Sequence, residues 1–425
     1  MFTLPTLIPT SVTIFALILP PISLLAPKGV VPLLMIAAIV VGTACWRRDG
    51  RLPAPDRTIA LLLGLLLVWA GITSFWTFVP ERAFVLVLRL AALFAAGLVL
   101  LSVATTLDGD VRWRIGNYLL IGMGGVCLVL LMELVLDFPL LEWLKGPLGQ
   151  GEHRLQSLNR GVSTLALMIW PVTAILWRRG LGAAALGAPV ALNVLLFFFA
   201  SAAALVALAG GLVTAGAALI DRRAGQALAV LAIVGLVAGS PFVAKQIYAL
   251  GWFEANWLPL SAQGRVIIWN YTADRIFEKP LLGWGFDASR NMPPIYDPAL
   301  GSSKKIIPLH PHNAGLQVLL ELGVVGAALV LALLVTVKRR LERLPGGSRI
   351  LAQGQFITTL AIASTAYGLW QNQWIATMLA TAILSAICFT EAPDEDATIG
   401  VAVDVGAKTT ARAGAGPPGP DQTRN

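Results

Sequence analysis

Charge is scarce in this chain, and the scarcity decides its class. Asp, Glu, Lys and Arg make up 13% of 425 residues, while hydrophobic residues make up 57%. A water-soluble domain of that composition would lack the polar surface to cover itself, so the apolar excess must face lipid. Cysteine is almost missing: Cys45, Cys127 and Cys388 lie far apart within apolar runs, which argues against a disulfide framework or a metal cluster. Met1–Thr10 lacks the basic n-region of a cleaved signal peptide, so a first span over 7–26 is expected to be retained. Neither a fixed-period repeat nor an inverted pair of broken helices, the mark of many transporters, is visible.

What is present is a series of apolar runs joined by short charged links. They fall at 7–26, 29–46, 57–76, 82–104, 113–137, 158–177, 181–199, 201–220, 224–241, 313–337, 349–370 and 372–390. The expected fold is therefore all-α, a polytopic membrane protein of about twelve transmembrane helices. The net charge of +8 could suggest nucleic acid, but Lys and Arg concentrate in alternate short loops. Arg47, Arg48, Arg51 and Arg57, then Arg112 and Arg114, Arg178 and Arg179, Arg222 and Arg223, and Lys338 to Arg349 all fall on one side, which the positive-inside rule makes cytoplasmic. The organisation read from this is an N-terminal bundle over 1–241, a large outer loop over 242–312, C-terminal helices over 313–390, and a disordered cytoplasmic tail over 391–425.

Several charges resist that topological explanation. Arg154 and Arg160 flank the link into the sixth span on the outer side, where they either snorkel to lipid phosphates or clamp a phosphate group with their planar forks. Arg89 lies about two turns inside the fourth span and Glu133 near the outer end of the fifth; they pair, or Arg89 lines a hydrated cavity. In the outer loop, Val266, Trp269, Ala273, Ile276 and Phe277 share one helical face, with Arg265 at its start. Lys279-Pro280 should end that helix, and Gly283-Trp284-Gly285-Phe286 reads as a tight turn.

The sharpest signal is Pro308-Leu309-His310-Pro311-His312-Asn313, at the rim of the next span. Asn313, Gln317 and Glu321 follow at intervals of four, a polar stripe that must face protein or water. His310 and His312 have no cysteine or third histidine beside them, so metal ligation is disfavoured. With an ordinary pKa of about 6.5, a neutral His312 suits a proton acceptor near pH 7.

Arg265-x-x-x-Trp269, Lys279-Pro280-Leu-Leu-Gly283-Trp284-Gly285-Phe286 and His312-Asn313-x-x-Leu316-Gln317-x-x-x-Glu321-x-Gly323-x-x-Gly326 resemble the O-antigen ligase and O-antigen polymerase superfamily. The resemblance implies a GT-C-like fold in the bacterial inner membrane, with the site facing the periplasm. It implies an inverting transfer without metal or other cofactor, moving a glycan from an undecaprenyl-diphosphate carrier to a hydroxyl acceptor such as lipid A-core. By that likeness His312 is the catalytic base and Arg265 the loop arginine. Arg154 matches a further arginine by spacing, and Arg160, where the usual Asn-x-Asn pattern is broken, shares or takes over its role. Arg89, His310, Asn313 and Gln317 complete the candidate substrate-binding set. The same motifs fit a polymerase acting on carrier-linked glycan or a protein O-oligosaccharyltransferase. A transporter or flippase is the alternative from another class, and it would place charges near mid-membrane.

Overall fold

The computed structural model describes residues 4–146, 158–199, 201–293 and 306–390; the tail expected over 391–425 lies outside them. Among the described residues the chain is helical and has no strand. Among the described residues nine helices are long and apolar enough to cross a membrane, and two shorter apolar helices, Gly182–Phe197 and Asn372–Cys388, accompany them. Each of the twelve expected runs coincides with a helix. The chain is an all-α, multi-pass membrane protein.

At the centre stands Asn159–Arg178, whose residues from Gly161 to Ile175 are all buried. Small residues let its neighbours close on it. A Cβ on Gly161 would lie 2.6 Å from Leu24 Cα, and one on Gly211 or Gly354 would enter the Trp170 ring at 2.6 and 2.3 Å. In lipid, where apolar surface gives no solvent-driven attraction between helices, such close backbone approach is what dispersion forces require. Trp170 Nε1 donates to Thr358 Oγ1 at 3.1 Å, so the ring that fills the glycine cleft also has its one polar atom satisfied.

Links expected on one side gather at one end of the bundle. Asp56 caps Arg57–Thr73 by accepting from Thr58 N at 3.0 Å and Ile59 N at 3.2 Å, and it reaches Arg340 at 2.7 Å. Arg178 Nη1 donates to Cys388 O at 3.3 Å, and Arg179 lies 4.4 Å above the Trp113 ring.

Three expected boundaries shift. The helix assigned to 224–241 runs from Arg222 through a wider-wound segment, Gly235–Gly239, and on to Ala249, because Pro241 sits in the first turn of the resumed helix, where no N–H is needed. The span assigned to 349–370 stops at Ala363, and Ser364–Gln371 forms a turn. The span assigned to 313–337 is present as Ala314–Leu341 but is interrupted at Gly323 (φ 62°, ψ −164°). That backbone conformation is almost confined to glycine.

Candidate active site

The interruption at Gly323 is an opening that the outer loop fills. Trp284 N donates to Leu320 O at 2.8 Å, Gly285 N to Glu321 O at 3.0 Å, and Val324 N to Pro280 O at 2.9 Å. Trp69 Nε1 takes Leu322 O at 2.9 Å. Carbonyls released by the break are thus satisfied, as they must be at membrane depth. Gly283 (φ 71°) is required there, since a Cβ would lie 2.7 Å from Glu321 O. The expected tight turn at Gly283–Phe286 is therefore a plug in a broken helix. Lys279, just after the loop helix Leu260–Glu278 ends, covers the Trp284 ring at 4.0 Å.

The half-helix from Ala314 to Leu322 carries the polar stripe into the interior. Asn313 Oδ1 caps it by accepting from Leu316 N at 3.1 Å. Gln317 Oε1 accepts from Leu369 N at 2.8 Å, and its Nε2 donates to Glu321 Oε1 at 3.2 Å. Glu321, fully buried, accepts at Oε2 from Trp370 Nε1 at 2.8 Å and Asp287 N at 3.0 Å. Asn313 and Gln317, both candidates for substrate contact, are thus engaged in holding the half-helix in place.

The histidine loop sits against this frame. His312 has φ 55°, a left-handed conformation that costs a non-glycine residue about 1–2 kcal/mol and persists only where surroundings enforce it. Its Nδ1 lies 3.1 Å from Ala366 O. A carbonyl can only accept, so Nδ1 carries the proton and the lone pair of the neutral ring is on Nε2. His310 is buried; it accepts from His312 N at Nδ1 (3.3 Å), and the Gln371 amide lies 3.0 Å from its Nε2. The two rings are 4.1 Å apart. Gly368 makes room for His310, since a Cβ there would lie 2.8 Å from the imidazole.

Arg265 enters from the loop helix. One turn on, Trp269 Nε1 donates to Pro311 O at 2.8 Å, fastening that helix to the residue before His312. Arg265 is half-buried and has no hydrogen bond or ion pair among the described residues. Burial pulls its pKa below the ordinary value, although a guanidinium stays charged at neutral pH. His312 is lowered too: burial is the largest cause, the Ala366 carbonyl opposes it, and the Arg265 charge adds to the lowering. The structure therefore brings together a neutral imidazole and an uncompensated cation.

Other candidates stand apart from this pair. Arg154 lies outside the described residues, and of Arg160 only the backbone is described, in the first turn of Asn159–Arg178. Arg89 is exposed on Pro80–Ala104. It does not pair with Glu133, which is buried and accepts instead from Leu140 N at 2.9 Å and Leu141 N at 3.2 Å at the start of a short helix, Pro139–Lys145. No group of three or more His, Cys, Asp or Glu that could hold a metal occurs among the described residues.

Two contributors escaped sequence reasoning. The turn Ser364–Gln371 touches His310, His312, Gln317 and Glu321; its Tyr, Leu and Trp read as a continuing apolar span, and only Gly368 hinted otherwise. Asp287 (φ 58°) is buried between Glu321 and Arg82, whose Nε lies 2.9 Å from Asp287 Oδ2.

Comparison with known proteins adds an independent line. The O-antigen ligase family matches residues 187–331, a stretch that includes Arg265, His312 and the break at Gly323. A provisionally named polysaccharide ligase of Rickettsia typhi is 28% identical over 320 residues, covering 73% of this chain and 76% of its own. Similarly named proteins of Rickettsia felis (27% over 318 residues, 73% and 76%) and Rickettsia bellii (32% over 246 residues, 55% and 59%) also match. With its all-α membrane fold and a family match that spans both Arg265 and His312, the chain is similar to the O-antigen ligase family over residues 187–331 and to polysaccharide ligases over most of its length.

Proposed function

We propose that this protein transfers a glycan from a polyprenyl-diphosphate carrier, undecaprenyl diphosphate by family likeness, to a hydroxyl acceptor at the periplasmic face of the bacterial inner membrane. The observation that carries the reading is His312 Nδ1 against Ala366 O beside the unpaired Arg265, which leaves Nε2 free to take a proton next to a cation. The acceptor O–H gives its proton to His312 Nε2 as the oxygen attacks the anomeric carbon. The bond from that carbon to the diphosphate oxygen breaks, and the diphosphate departs with the electron pair, inverting the configuration. Arg265 stabilises the charge gathering on the leaving group, in a half-buried setting where a fixed cation acts more strongly than in water. Arg154 and Arg160 extend the same grip from the link that opens the central helix. His310 acts one step back, through its contact with His312 N.

A phosphorylated lipid A-core glycolipid is the acceptor this reading favours. The test is purified protein in lipid nanodiscs supplied with carrier-linked glycan and acceptor, without ATP. Transfer by the wild type, together with a drop of about 10²–10⁴-fold in His312→Ala at unchanged melting temperature, supports the reading. Near-normal transfer by His312→Ala removes the base, and movement of the carrier across the bilayer without transfer replaces the enzyme with a transporter.

A further inference from the structure

On Pro80–Ala104 one stripe does not fit a surface made only for lipid tails. Arg82, Val85, Arg89 and Ala92 are all exposed, and Leu88 is 70% exposed beside them. Arg82 and Arg89 are seven residues apart, about two full turns, so they stand on the same face about 10 Å apart along the axis. Side chains on a helix lean toward its N-terminus, which here is the end where the histidine loop lies. Arg89 therefore leans toward Arg82, and the exposed aliphatic Val85 and Leu88 lie on the same stretch of helix surface.

Among the described residues the charge around this stripe is only partly balanced. Arg82 gives its Nε to Asp287, leaving its Nη donors without a partner among the described residues. Asp287 is the carboxylate nearest to hand and is already shared, with Arg290 Nε 3.8 Å away. Glu81, in the same first turn as Arg82, is exposed and makes no ion pair among the described residues. Arg89 has no hydrogen bond, ion pair or ring contact among the described residues, though it lies well inside a helix of membrane-crossing length. An arginine in that position is stable only when it is hydrated or meets an anion, and the anion available at a bilayer rim is a phosphate.

The stripe is also connected to the candidate active site. Asp287 N donates to Glu321 Oε2, and Ser289 Oγ lies 3.5 Å from Leu309 O, beside His310. A phosphate held by Arg82 and Arg89 would thus sit on the flank of the histidine loop that Asp287 and Ser289 support, separate from Arg265 on the loop helix.

We propose that Arg82 and Arg89 bind the phosphate of a membrane lipid, and that this lipid is the phosphorylated glycolipid acceptor entering from the bilayer. The inference rests on the glycosyl-transfer reading only for the word acceptor; the phosphate site stands on the stripe. Arg89 is the position to test, because it holds nothing else in place. Binding of diphosphoryl lipid A, its dephosphorylated form and phosphatidylglycerol to the full chain is measured by native mass spectrometry. Loss of one charge-assisted contact should weaken diphosphoryl lipid A about tenfold in Arg89→Gln, with Arg89→Lys retaining most of the affinity. The dephosphorylated lipid should bind both forms weakly and alike. Equal binding of diphosphoryl lipid A by wild type and Arg89→Gln overturns the site, as does equal binding of phosphorylated and dephosphorylated lipid to the wild type. Phosphatidylglycerol matching lipid A in affinity reduces it to a site for bulk lipid and overturns the acceptor role. His312→Ala should bind lipid A as the wild type does; normal transfer by that variant sinks the glycosyl-transfer reading and leaves the lipid result standing.

Discussion

The two ends of the bundle are built by different rules. At the arginine end, short links join helices through a cap and a few ion pairs, such as Asp56 with Thr58, Ile59 and Arg340. At the histidine end, a helix is broken and refilled by a loop, His312 and Asp287 are held in left-handed backbone, and a buried carboxylate collects donors from distant segments. The first end is made of a few isolated contacts, several of them at exposed or half-exposed side chains, that could be exchanged for others of like charge. The second is over-determined: His312 is held by Ala366 and by His310 in its own loop, and Asp287 by Glu321 and Arg82, and a site that must hold an imidazole and a cation in fixed relation needs that rigidity.

The largest expected effect comes from the break itself. Gly323→Ala places a Cβ 2.2 Å from Leu281 O at a backbone conformation open almost only to glycine. It should cost more than about 3 kcal/mol and lower the yield of folded protein severely. Gly124→Ala, where a Cβ would meet nothing within 4 Å, should leave melting within about 0.5 kcal/mol of the wild type. Equal melting temperatures for the two variants would mean that the break is not held as described.

Next in size is the buried carboxylate. Trp370→Phe keeps the ring against Phe286, 5.3 Å away, but removes the donor to Glu321 Oε2. A buried acceptor left short of a partner costs about 1–3 kcal/mol. Because Glu321 also positions Gln317 and, through Asp287, the outer loop, thermal unfolding should fall by that amount and transfer should fall with it. A variant that loses activity but melts as the wild type does would move Trp370 from the supporting frame into direct contact with substrate.

These two sites also show where sequence reading stopped. Apolar runs and loop arginines are local patterns, so the helices and the arginine end could be read directly. The Asn313, Gln317, Glu321 stripe announced that polar partners must exist, and the positions of His312 and Arg265 stood out for their chemistry. The partners themselves were hidden. Hydropathy is blind to φ, so Gly323 read as one more residue of a span, and Tyr367, Leu369 and Trp370 are as apolar as the helix before them, so the turn they form was absorbed into that helix. The pairing of Arg82 with Asp287 was hidden as well, because more than two hundred residues separate them.

A smaller effect sharpens the electrostatics of the histidine end. His312 acts as a base only when neutral, and burial holds its pKa below the ordinary value of about 6.5, with Arg265 contributing to the lowering. Activity should therefore be present above that lowered pKa and be lost as pH falls through it. Arg265→Gln removes one lowering cause, so besides slowing transfer it should move the acidic limb of the kcat/KM profile to higher pH. A limb that stays in place, or moves to lower pH, would separate the two residues and leave the proposed base without its neighbouring cation.

The smallest effect belongs to the arginine end. Asp56→Ala removes a helix cap that accepts two backbone N–H groups and a partly exposed ion pair with Arg340. The cap is worth about 1 kcal/mol and the ion pair adds little, since exposed pairs are screened. Melting should drop slightly, while transfer and its pH profile remain unchanged, because nothing at the histidine end depends on how this link is capped. If Asp56→Ala instead shifts the acidic limb of the profile, the two ends are coupled through the length of Ala314–Leu341, across the break at Gly323.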